Sequence, residues 1–121
     1  MGDRRMNNIF LSNTIAKLSP GKGFAIYGTV ENESEYNSNV VFEDASAKPS
    51  WSDVENEKPN EQWVIVRAQR DGKLSACDWT VLTDVPMSDS KREEWEVYRQ
   101  ALRDITNQPD PFNITWPTPP A

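Results

Sequence analysis

Apolar positions along the chain fall into stretches of different period, with polar or proline-rich breaks between them. Leu11, Ile15 and Leu18 recur at helical intervals within residues 9–18, and Ser19-Pro20-Gly21 breaks that run. Phe24 to Val30 and Asn39 to Glu43 read as two strands, joined as a hairpin across a polar loop of roughly eight residues. A two-stranded unit is barely stable alone, so something must pack on one of its faces. Ser50 can cap a helix starting at Trp51, with Asp53 placed as in a capping box, and Pro59 is expected to end it. Residues 61–76 read two ways. Val64-Ile65-Val66 favours a strand, whereas Trp63, Val66, Arg70 and Leu74 share one helical face; helix is preferred, with Gly72 its weak point.

The clearest period covers residues 89–106. Trp95, Tyr98, Leu102 and Ile105 recur at intervals of three and four, and Ser90 with Glu93 forms a capping box. Acids Asp89, Glu93 and Glu94 come first and Arg99 and Arg103 later, as the helix dipole prefers. After Asn107 the prolines at 109, 111, 117, 119 and 120 predict an extended tail, with Phe112, Ile114 and Trp116 alternating toward one side. The expected fold class is α+β: a short N-terminal β-hairpin packed with two or three helices, and a Pro-rich extended C-terminal tail. The expected organisation is a single domain over residues 1–121. Its half 1–60 contains the hairpin, and its half 61–121 is helical with the Pro-rich end.

Composition narrows what such a fold can do. With 36% hydrophobic residues and 26% charged ones, the 121-residue chain must have a thin core, which five tryptophans partly offset. The net charge of −6 is uneven: residues 31–62 carry nine acids against Lys48 and Lys58, whereas residues 1–30 carry Arg4, Arg5, Lys17 and Lys22 against Asp3. This sign disfavours nucleic acid and anionic membranes as partners, and Arg4 and Arg5 read as a solvated terminus. No apolar run approaches a membrane span, and the first residues are too polar for a signal peptide. Histidine is absent and Cys77 is the sole cysteine. Histidine-dependent catalysis, an internal disulfide and a structural zinc site are therefore not expected, and no cofactor is implied. Carboxylate chemistry by Asp78 and Asp84 is the remaining enzymatic option, but turn-stabilising roles suit both acids better. Cys77 reads as a small buried side chain.

The run Arg67 to Pro86 containing Asp78-Trp79-Thr80 and Asp84-Val85-Pro86 is followed by Trp95 to Ile105 and then by Trp116-Pro117-Thr118-Pro119. In that order these segments resemble the phage tail assembly chaperone domain, related to the endings of tail fibre assembly proteins. The chain has Lys73-Leu74 and Ala76-Cys77 where that family usually carries paired leucines and a threonine. The resemblance implies a protein that holds other phage tail or tail-fibre proteins during assembly in the host cytoplasm, without being an enzyme. The alternative is a structural component of the virion, a tail or tail-fibre accessory subunit. Asp78, Trp79, Asp84, Trp95, Tyr98, Arg99, Leu102, Arg103, Trp116 and Pro117 carry the family pattern, as core or as partner-binding residues. Trp79, Trp95, Tyr98 and Trp116 are expected to cluster. Arg99 and Arg103 are expected to meet Asp78, Asp84 or the carbonyls of the tail. Oligomeric state is not legible.

Overall fold

A computed structural model describes residues 7–121. Arg4 and Arg5, expected as a solvated terminus, lie outside the described residues. The described chain is helix-rich, with four α-helices and one two-stranded antiparallel sheet. It divides into two compact units, which meet between Glu61 and Gln62 in the sequence.

The first unit opens with α1 (Asn8–Leu18), capped by the Asn7 side chain, which accepts from the Phe10 amide at 2.7 Å. Phe10, Leu11, Thr14 and Ile15 are its buried face. The Thr14 hydroxyl is satisfied by donating to the Phe10 carbonyl at 2.9 Å. The breaker after Leu18 acts as expected: Gly21 takes φ +75°, a left-handed turn conformation that favours glycine. Strand β1 (Phe24–Ile26) then pairs with β2 (Val40–Phe42), with Ala25 opposite Val41 at the centre. Phe24 stacks on Phe42 with ring centres 5.2 Å apart, the kind of cross-strand aromatic pair that stabilises a short ladder. The strands are shorter than the sequence predicts.

The connection between them is not a loop. Residues Glu33–Asn39 form α2, capped by the Asn32 side chain accepting from the Glu35 amide at 2.9 Å, while Glu35 reaches back to the Glu31 amide. Seven residues with Tyr36 as their one large apolar side chain show no period, which is why the pattern missed this helix. Tyr36 is the unit's central ring: it packs on Trp51 at 5.3 Å, lies under the Lys48 ammonium at 4.8 Å, and donates its hydroxyl to the Pro49 carbonyl at 2.6 Å. Burial, and then the charge of Asp53, raise its pKa from the usual 10.0 to about 12.

Helix α3 (Trp51–Ala76) contributes its first turns to this unit and the remainder to the second. Ser50 accepts from the Asp53 amide at 3.1 Å, as predicted. Pro59, however, does not end the helix; it lies inside it, and residues 61–76 are helical throughout. A buried Val54 and the buried Glu61 anchor the first turns, and Glu61 is neutralised by an ion pair with Lys17 of α1. Anchoring of this kind can carry a helix through a proline that propensity alone would not allow.

In the second unit, a 3₁₀ turn over Asp78–Val81 leads to α4 (Asp89–Arg103). The cap of α4 is Ser88, accepting from the Lys91 amide at 3.1 Å, and not the expected Ser90. Cys77, Tyr98 and Leu102 form the buried core here, with Leu74, Trp95 and Trp116 packed against them. The expected extended course after Asn107 is interrupted. Asp110 accepts from the Phe112 amide through its side chain at 2.9 Å and from the Asn113 amide through its carbonyl at 3.1 Å, a turn for which Asp-Pro is well suited.

Candidate functional site

Most of the residues singled out from the sequence meet around the loop between α3 and α4. Cys77 is buried behind the 3₁₀ turn, and its sulfur accepts from one Arg99 guanidinium nitrogen at 3.1 Å. The same nitrogen donates to the Leu74 carbonyl at 3.0 Å, and the other terminal nitrogen pairs with Asp78 at 3.1 Å. Arg99 thus ties the end of α3 and the start of the turn to the middle of α4. Its pKa is raised first by the bond to Cys77 and then by Asp78, against the opposing effect of burial. Burial, and then Cys77, push the Tyr98 phenol upward.

The rings form a staircase. Trp79 meets Trp95 edge-on at 5.7 Å, and Trp95 meets Tyr98 in the same manner at 5.7 Å. Trp116 joins from the chain's end by packing on the Cys77–Tyr98–Leu102 core, and Lys73 sits 5.0 Å over its indole. Gln108 holds the segment before it, exchanging two hydrogen bonds of 2.9 Å with the Thr115 backbone. Pro117 is half-buried and faces a shallow groove that Val97 and Tyr98 also line. Trp79, by contrast, remains 49% exposed.

Two of the singled-out residues stay apart from this assembly. Arg103 bonds to Gln100 on its own helix, at 3.3 and 2.7 Å, and meets none of the partners expected for it. Asp84 is exposed on the loop and makes no ion pair among the described residues.

The sequence reading overlooked Arg92. Its guanidinium donates to the carbonyls of Thr80 at 3.2 Å, Leu82 at 3.3 Å and Val85 at 3.2 Å, so one side chain gathers the whole loop onto α4. No residue type in the sequence marks this role, because the partners are backbone carbonyls. With the loop held at both ends, Val81 and Leu82 project to solvent at 56% and 53% exposure beside Trp79. Below them a groove of about 460 Å³ is lined by Met87, Trp95, Asp89 and Glu96, among others. Among the described residues, no group of three His, Cys, Asp or Glu is placed to hold a metal ion, and no helix is long and apolar enough to cross a membrane. The arrangement is a fixed loop that presents apolar side chains.

A comparison with known families agrees with the order of these segments. Residues 63–121 match the model of the family described as phage tail assembly chaperone protein. The match takes in most of α3's second portion, the ring staircase, both loop-tying arginines and the proline-rich end. No curated protein and no solved structure matches the chain.

Proposed function

We propose that this chain acts as an assembly chaperone by binding an unfinished phage tail or tail-fibre protein through the loop edge at Trp79, Val81 and Leu82, with no catalytic step. One observation carries the reading: within the family segment, three large apolar side chains in four positions face solvent on a loop that Arg92 and Arg99 hold in place. Fixing the loop beforehand lowers the ordering entropy that a partner must overcome, which favours recognition over mere exposure. The acidic stretch 31–62 supports the same role by keeping a complex with an apolar client dispersed. Its charge also argues against nucleic acid and anionic membranes as clients. Such a protein works in the host cytoplasm while tails are built.

The test is co-purification of tail and tail-fibre proteins encoded by the same genome with the tagged full chain. A defined tail protein is expected to co-purify with the wild type and to be lost with Val81→Ser/Leu82→Ser at unchanged helix content. Retention by that variant would remove the loop edge from the reading. Purified virions should lack the chain; a stoichiometric band there would make it a tail or fibre subunit instead.

A further inference from the structure

The charges around the loop-edge groove divide unevenly between those already engaged and those left over. Both guanidinium groups on its wall are engaged within the chain: Arg92 with three loop carbonyls, Arg99 with Leu74, Cys77 and Asp78. The two carboxylates on the same wall, Asp89 and Glu96, make no ion pair or hydrogen bond among the described residues. They stand seven positions apart on α4, two helical turns, and so lie on one face of the helix. Apolar surface from Val81, Met87 and Trp95 lies in the same groove. Of the four charged groups lining it, the two guanidinium groups already donate within the chain, and the two carboxylates are the ones left to accept from a visitor.

We infer that the groove takes a client segment carrying an apolar side chain next to a lysine or arginine, with Asp89 and Glu96 selecting the basic residue. The inference rests on the proposed chaperone reading and adds the chemistry of the client to it. An apolar side chain gains by leaving water against Val81, Met87 and Trp95. A neighbouring ammonium or guanidinium meets two carboxylates that make no ion pair within the described residues, whereas an acidic neighbour meets them as like charges. Discrimination is then electrostatic and depends on salt, while the apolar contact does not.

The experiment uses the full chain against overlapping peptides tiled across the tail and tail-fibre proteins encoded by the same genome. Bound peptides are expected to combine an apolar residue with lysine or arginine. Asp89→Asn/Glu96→Gln, nearly isosteric and so compatible with the fold, should weaken those peptides about tenfold at low salt and little at high salt. Glu96→Lys alone should shift preference toward acidic peptides. Equal binding by wild type and both variants, with sensitivity to Val81→Ser/Leu82→Ser retained, overturns the charge selection and leaves the chaperone reading standing. Failure of the wild type to bind any tail peptide overturns both.

Discussion

Arg92 offers a sharp trial of how one side chain shapes the binding loop. Its planar guanidinium spans three carbonyls of residues 80–85, which a point charge on a flexible stem cannot do simultaneously. Replacing it with methionine keeps much of the apolar stem but returns those carbonyls to water or leaves them unpaired. Arg92→Met should cost about 2 kcal/mol in urea unfolding, and Arg92→Lys should recover only part of that loss. Equal stability of all three proteins would mean that the loop holds itself. Tyr36 tests the other unit. Its folded pKa of about 12 lies above the ordinary 10.0, so the native chain keeps the phenolic proton longer than the unfolded chain does. That contribution is complete below pH 10 and is lost as the pH rises through 12. Tyrosinate absorbance should therefore show a late step in the wild type that Tyr36→Phe lacks. The stability difference between the two proteins should also shrink across that window.

Among the elements, α3 carries the clearest internal conflict. Pro59 has no amide to donate to the Glu55 carbonyl, and its ring crowds that turn, yet the helix continues to Ala76. An alanine there removes both penalties, and because Pro59 is exposed no packing is lost. Pro59→Ala should raise stability by about 1–3 kcal/mol, seen as a higher urea midpoint with an unchanged slope. A lower midpoint would show that the proline itself serves the fold. The same helix marks how far local pattern reaches. Helices α1 and α4 were legible because their apolar residues recur at three and four, and the two strands because β-formers cluster between breakers. Helix α2 was not, since Tyr36 alone cannot make a period, though Asn32 and Glu35 held its capping signal. Continuation of α3 through Pro59 depends on contacts at Val54 and Glu61 that no local rule contains. Two nearby serines made the start of α4 ambiguous, and the Ser90–Glu93 spacing favoured the wrong one. At the site, aromatic periodicity pointed to Trp95 and Tyr98. The pull of Arg92 on the loop could not be read, because its partners are backbone carbonyls, which leave no trace in residue types.

At the scale of the whole molecule, two tendencies oppose each other. The chain is acidic, with an isoelectric point near 4.6 and a net charge of −6 at neutral pH, so copies repel one another. It also presents the apolar edge formed by Trp79, Val81 and Leu82, which favours association whenever that repulsion is removed. Lowering the pH toward 4.6 protonates carboxylates, many of them in the stretch 31–62, and cancels the repulsion without touching the edge. Light scattering should then peak near pH 4.6 and fall on both sides of it. If the loop edge drives association, Val81→Ser/Leu82→Ser should lower that peak while leaving its position unchanged, because neither substitution alters the charge. Circular dichroism at each pH separates this from unfolding, which would expose the same core in both proteins and make them scatter alike. A peak of equal height in the two proteins, with helix content preserved, would place the sticky surface elsewhere, on other exposed apolar residues such as Ile9, Tyr27, Val41, Val64 or Val97. It would also weaken the case that the loop edge is where a client binds, because a surface that grips apolar segments should be the first to grip its own kind once charge no longer keeps copies apart.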